Sequence, residues 1–316
     1  MTVAKWMEPG WGGDEGGVMT ATSQRRIYKD GYTDGARWEW FTHRPGDIII
    51  ATPAKCGTTW MQTIIASLLF PDGSAPGPVV IISPWVDGRL VPIEAVAKLL
   101  QTQEHRRFVK THTPADGVPF WPSASYIVVL RDGRDAFMSF LNHMAKTRPE
   151  VAERVNAEAA ADGGRPMAWS RDVHEALPKW LDSDDFVGTY LASWWPLRSE
   201  PNVLLVHYND LQVDLDGEMR RIASFLGIDV PQDLWPDVVR RCTFASMKAR
   251  PDEIGPFDVV FEGGAGSFLY KGTNGRWRDV LTEDELTLYA RRVADHLPPE
   301  AVEWIEKGAV ATGYRP

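Results

Sequence analysis

The spacing of apolar residues changes several times along this chain, and each change marks a predicted element. Ile48, Ile49 and Ile50 form a short β-branched run, the pattern of a strand buried on both faces. Pro53 closes that strand, because proline cannot donate to a ladder. From Thr58 the period lengthens, so that Trp60, Met61, Ile64, Ile65, Leu68 and Leu69 share one helical face. Further runs at Phe108–Thr111, Tyr126–Leu130 and Val203–Tyr208 predict three more strands. Helices are predicted over Pro92–Leu100, in the segment carrying Phe137, Phe140, Leu141 and Met144, and over Leu215–Leu226, where Gly227 stops the run. Thr282 with Glu285 three residues later fits a capping box and opens a helical C-terminal region. Val79–Ile82 is a short apolar run that ends at Ser83-Pro84-Trp85. Trp38, Trp40 and Phe41 suit either core or pocket wall.

Strands that alternate with helices imply an α/β fold, a doubly wound parallel sheet flanked by helices. Residues 22–316 are expected to form one domain, with a variable and partly helical excursion near 146–185 over one face of the sheet. Beyond Arg250 the chain reads as loop-rich, with the run Gly263-Gly264-Ala265-Gly266. Residues 1–21, rich in Gly and acidic residues, are expected to be disordered or loosely attached.

With 316 residues and 44% apolar content, the chain can build a core without staples. It has no run of eighteen apolar residues. The segment Met1–Met19 lacks the basic-then-apolar order of a signal peptide, so a cytoplasmic location is expected. Two Cys residues make no disulfide framework. The net charge of −9 argues against nucleic acid as a partner, and it makes the placement of Lys and Arg informative.

Ligands of open parallel sheets bind outside the carboxyl ends of the strands. Those ends carry Lys55, then Lys110 and His112, then Arg131 and Arg134, then Tyr208. Three of the four ends thus bring a cation, in a protein that is acidic overall. The stretch Ala54-Lys55-Cys56-Gly57-Thr58-Thr59 joins the first strand to a helix N-terminus, a P-loop-like anion site of exposed amides, hydroxyls and one full charge. It is not the common nucleotide loop, since Lys55 precedes the loop's only Gly. A helix N-terminus can lower the pKa of Cys56; a small residue that fits a tight loop is the preferred reading.

These residues resemble the soluble sulfotransferases that use 3′-phosphoadenosine-5′-phosphosulfate (PAPS), with a bacterial look. That family's Pro-Lys-Ser-Gly-Thr-Thr-Trp appears here as Ala54-Lys55-Cys56-Gly57-Thr58-Thr59-Trp60. Its Lys-Thr-His-x-Pro is matched by Lys110-Thr111-His112-Thr113-Pro114, and its strand-ending Arg with a Ser eight residues on by Arg131 and Ser139. Its Lys-Gly-x-x-Gly-x-Trp is matched by Lys271-Gly272-Thr273-Asn274-Gly275-Arg276-Trp277. Ser83-Pro84-Trp85 is a weaker match.

The resemblance implies a sulfuryl transfer to a hydroxyl, with His112 as general base and with Lys55 and Lys110 stabilising developing charge. It implies that the 5′-phosphosulfate lies on Lys55–Thr59, Cys56 and Gly57 included, and that Ser139 holds Lys55. Arg131 and Ser139 would take the 3′-phosphate, under a flexible loop formed by Tyr270, Lys271 and Gly272. Trp60 and Phe244 match a stacking pair for the adenine, with Tyr208 and Thr243 beside them; Trp60 alone fits a core equally well. Where the family has Arg, this chain has Tyr270, so either Arg276 or Arg278 replaces the lost charge or the hold on the 3′-phosphate is weaker. Trp85, Phe120, Trp121, Phe137 and Phe140 offer walls for a phenol, a simple alcohol, a sterol-like alcohol or a glycolipid, with Trp85, Phe120, Lys110 and His112 chosen as the acceptor pocket. No metal and no nucleic acid is implied. Of the family's C-terminal dimer motif only Thr282 is matched, which leaves the oligomeric state open. A nucleotide-dependent small-molecule kinase and a catalytically inactive nucleotide-binding protein are the alternatives.

Overall fold

A computed structural model describes residues 25–316; the segment 1–21 lies outside them. The strands are β1 (Ile48–Ala51), β2 (Phe108–Thr111), β3 (Ser125–Leu130) and β4 (Val203–His207). They form one parallel sheet in the order β2-β1-β3-β4. The chain moves from β1 out to β2, then returns to add β3 on the other side of β1. The order therefore reverses between β1 and β3, and a crevice opens at their carboxyl ends.

The period-two geometry of the strands splits the core into two layers. Ile49, Ala51, Val109, Tyr126 and Val128 face one layer, whereas Ile48, Ile50, Phe108, Ile127 and Val129 face the other. The helices, in chain order, begin with α1 (Thr58–Leu69), α2 (Val79–Ile82), α3 (Ile93–Thr102) and α4 (Gly133–Lys146). The excursion near 146–185 contains α5 (Pro149–Ala161) and α6 (Val173–Leu181), followed by α7 (Val187–Trp194). After β4 come α8 (Tyr208–Val213), α9 (Leu215–Leu226), α10 (Trp235–Arg241) and α11 (Phe244–Ala249). Tyr208 thus opens a helix rather than ending the strand. Helices α3, α4, α6 and α7 contribute to the first layer, and α1, α2, α9 and α10 to the second.

The segment beyond Arg250 is not the loop expected of it. It holds the one-turn helix α12 (Pro251–Ile254), a 3-10 turn at Phe257–Val259 and α13 (Gly264–Phe268). Packing explains the difference: Phe257, Phe261 and Leu269 are buried against the second layer, and such contacts outweigh weak local propensity. The chain then closes with α14 (Glu283–His296), α15 (Pro299–Lys307) and α16 (Ala309–Thr312). The Thr282–Glu285 capping box is formed.

Two buried carboxylates brace the two ends of the sheet. Asp87 Oδ2 accepts hydrogen bonds from Thr111 Oγ1, Thr113 Oγ1 and Trp38 Nε1. The backbone around it pairs with the end of β2, through Lys110 N to Pro84 O and Val86 N to Lys110 O. Trp85 is thereby held beside Lys110. Trp38 and Phe41 are core, while Trp40 stands 53% exposed. At the opposite end of the sheet, Arg107 Nε donates to Asp47 Oδ1 at 2.8 Å and its terminal nitrogen to Oδ2 at 2.5 Å, both side chains being buried.

Replacing Arg107 by Met leaves the Asp47 charge buried without its bidentate partner. The expected cost is about 3–5 kcal/mol, read as a lower urea midpoint at unchanged slope. A midpoint within error of wild type would show that Asp47 is satisfied by Arg44 N and His43 alone.

Candidate active site

The turn after β1 is built around two residues with positive φ. Lys55 sits at φ 67° and Gly57 at φ 104°. A side chain at Gly57 would meet the Tyr208 ring at 2.9 Å, so a glycine is required there. Lys55 takes up the left-handed conformation despite its Cβ, at a cost of about 1–2 kcal/mol. The first turn of α1 has no side-chain cap, which leaves its amides open to an anion.

Around this turn lies a cavity of about 550 Å³. Lys55, Lys110, His112, Arg131 and Arg276 all line it. Among the described residues, no carboxylate forms an ion pair with Lys55, Lys110, Arg131 or Arg276, although twenty ion pairs form elsewhere. Burial and the neighbouring Lys110 and Arg131 pull the Lys55 ammonium down to about 7. Burial alone lowers Lys110, to about 8. Arg276 keeps a buried Nε with no hydrogen-bond partner.

His112 is oriented by its backbone contact. Its Nδ1 lies 2.7 Å from Thr52 O, a carbonyl that only accepts, so Nδ1 carries the proton and Nε2 keeps its lone pair. The Trp85 ring packs edge-on against the imidazole at 4.7 Å, and Lys110 Nζ lies 4.9 Å from the Trp85 ring centre. Burial first, then Lys110, holds His112 far below its ordinary value, at about 3.

The cavity has two chemically distinct ends. One is bounded by Thr58, Thr59, Trp60, Tyr208, Phe244 and the Tyr270–Thr273 segment, with Ser139. Trp60 donates from Nε1 to Cys242 O at 2.7 Å and meets Tyr208 at 5.2 Å, so its ring is fixed as a wall. The other end is apolar, formed by Trp85, Phe140, Met144, Phe257, Phe261 and Phe268.

Several expected residues sit elsewhere. Phe120 stacks on Tyr126 at 4.8 Å and does not line the cavity. Trp121 packs among Trp38, Phe41 and His43, and Phe137 against Trp180. Thr243 caps α11 through Ser246 N and does not line the cavity. Cys56 is buried in the first layer. Arg278 lies over the Trp277 ring, which leaves Arg276 as the arginine at the wall. The glycine segment, expected to be flexible, is hydrogen-bonded on three sides: Arg131 to Thr273 O and Asn274 Oδ1, Asn274 Nδ2 to Asn209 and Gln212, and Gly275 N to Asp135 Oδ1. A Cβ on Gly272 would stand 2.8 Å from the Phe244 ring.

Ser139 lines the cavity but does not hold Lys55. Lys55 Nζ lies 3.2 Å from His143 Nδ1 and 4.5 Å from the Phe268 ring centre. No motif singles out His143. The signal that finds it is helical spacing, because position 143 is one turn beyond Ser139 on the same face. Among the described residues no group of three or more His, Cys, Asp or Glu is disposed to hold a metal ion, and no helix is long and apolar enough to cross a membrane.

Residues 45–297 match the family model described as the sulfotransferase domain. The chain is 34% identical to the glycolipid sulfotransferase of Mycobacterium bovis (strain BCG / Pasteur 1173P2) across 93% of this chain and 97% of that protein. Sulfotransferase 1 family member D1 of Rattus norvegicus is 27% identical across 77% of this chain and 81% of its own length. A mouse sulfotransferase crystallised with PAP has the same fold, with a TM-score of 0.66 and 19% identity over 88% of this chain and 93% of that one. Retinol dehydratase in complex with androsterone and PAP aligns with a TM-score of 0.65 and 19% identity, over 84% and 87%.

Burial pushes the thiols of Cys56 and Cys242 up to about 12. Native protein at pH 8 is therefore expected to resist alkylation at both positions, with reaction appearing only on unfolding. Rapid native labelling of Cys56, read by peptide mass spectrometry, would contradict the buried placement.

Proposed function

The chain belongs to the sulfotransferase family, and on that premise we propose that it moves a sulfuryl group from PAPS to a hydroxyl of an amphiphilic acceptor, with His112 as the general base. The observation that carries this reading is the fixed tautomer of His112. Its unprotonated Nε2 belongs to a cavity whose cations have no anionic partner among the described residues.

The donor, when bound, supplies the electrophilic sulfur and leaves as adenosine 3′,5′-bisphosphate. The open amides of α1, with Lys55, Thr58 and Thr59, suit its 5′ end. Arg131 and Ser139, with Arg276 in place of the family arginine lost at Tyr270, suit the 3′-phosphate. Trp60, Tyr208 and Phe244 offer ring faces and edges to the adenine. The residues fit the group, since the unpartnered Arg276 Nε and the glycine required at 272 are what a close-lying phosphate needs.

His112 takes the acceptor proton at Nε2, and Lys110 stabilises charge that develops on the reacting oxygens. Burial first, and then Lys110 and Lys55, hold His112 neutral in the free protein. An anion beside those lysines offsets their effect and makes Nε2 more basic once the donor is in place. The apolar end of the cavity favours a lipid-like acceptor over a small polar alcohol. The mycobacterial relative carries the name glycolipid sulfotransferase, which points the same way.

His112→Ala is expected to lower turnover by about 10²–10⁴-fold while leaving adenosine bisphosphate binding nearly intact. Turnover within about tenfold of wild type at saturating substrates removes His112 from the role. A second expectation concerns protons. Lys55, at about 7, is mostly neutral at pH 8 in the free protein. A bound polyanion raises it, so binding takes up as much as about one proton, and affinity falls as pH rises from 7 to 9. Calorimetry in buffers of different ionisation enthalpy reads this uptake directly; proton release, or none, contradicts it.

A further inference from the structure

Ten large apolar side chains stay exposed among the described residues, and four of them line this one cavity: Ile81, Val91, Val259 and Tyr270. Tyr270 belongs to the nucleotide end. The other three come from separate segments. Ile81 is in α2 and 41% exposed, Val91 precedes α3 and is 46% exposed, and Val259 ends the 3-10 turn and is 61% exposed. Ala95 on α3 joins them. Val80 packs close to Gly255, which brings α2 and the segment before Val259 to the same side of the opening. Scattered exposed apolar residues are ordinary, but convergence of three segments on the mouth of an apolar chamber is not.

We propose that this rim is a docking surface for a lipid bilayer, from which an amphiphilic acceptor passes into the cavity. The inference rests on the lipid-acceptor reading above. An acceptor with long acyl chains resides in a membrane, and the exposed Ile81, Val91 and Val259 line the same cavity as the apolar Trp85, Phe257, Phe261 and Phe268. The surrounding charges are of both signs, with Asp258 and Glu262 exposed on either side of Val259. Arg148 faces Glu150 and Arg154 faces Glu158, and on α3 Glu94 is followed one turn later by Lys98. Contact is therefore carried by apolar insertion and not by attraction to anionic headgroups, in the manner of an interfacial apolar face.

The test is co-sedimentation of the full chain with phosphatidylcholine vesicles that contain no acceptor. Binding is expected, little changed by adding phosphatidylglycerol or by raising salt. V259D should reduce the bound fraction, and I81D/V91D/V259D should lower the partition coefficient by roughly tenfold or more. Retained adenosine bisphosphate binding shows that these variants fold. Failure of wild type to sediment, loss of binding at high salt, or a triple variant that binds like wild type each overturns the proposal. So does light scattering that shows a dimer which I81D/V91D/V259D dissociates, because the rim then belongs to a second copy. Activity assays separate the two readings. Sulfation of a soluble short-chain glycolipid without vesicle binding overturns docking alone. Vesicle binding with no sulfation of any glycolipid leaves docking standing and overturns the acceptor reading.

Discussion

A set of basic groups without ion-pair partners at the carboxyl edge of the sheet is the constraint around which this molecule is arranged. Lys55, Lys110, Arg131 and Arg276 converge on one cavity, and none is ion-paired among the described residues. Elsewhere the acidic chain pairs its cations freely, Arg107 with Asp47 and Arg221 with Glu218 among them. Like charges at close range in a poorly hydrated space repel strongly, and the fold answers with neutral acceptors and ring faces. Arg131 leans on the carbonyls of Lys55 and Thr273, on Asn274 and on the Tyr208 ring. Lys55 leans on a neutral imidazole and on Phe268. These contacts satisfy donors without cancelling charge, so the potential is preserved for a ligand that carries the opposite sign.

The same device organises the glycine segment. Asn274 receives the Arg131 guanidinium at Oδ1 and gives its own amide protons to Asn209 and Gln212 of α8. Segment, helix and strand end are joined through one carboxamide. The guanidinium that follows β3 thereby also sets the position of a loop more than a hundred residues later in the chain.

The four strands, the anion turn and the order of the cationic strand ends were legible in the sequence because each is local. A β-branched run, a period change at Thr58 and a charge after a strand need only their neighbours to be read. Val203–His207 was legible too, but the helix beginning at Tyr208 was not, since β-run and helix start share residues there. The wall of the apolar end was not legible, for a different reason. Phe120, Trp121 and Phe137 look like Phe140 in sequence, and only their packing on Tyr126, Trp38 and Trp180 takes them out of the cavity. The aromatic wall that does line it comes largely from 257–268, where the glycine run suggested loop. His143 was not legible because it belongs to no motif, although it lies one helical turn beyond Ser139 on the same face.

Lys55 has one more consequence, for how this protein changes under selection. Its backbone conformation favours glycine or asparagine, and its ammonium is held where burial and like charges disfavour it. On the proposed role of Lys55, a substitution there that relieves the backbone strain also removes a group the reaction uses. The turn is a place where fitness and folding pull in opposite directions.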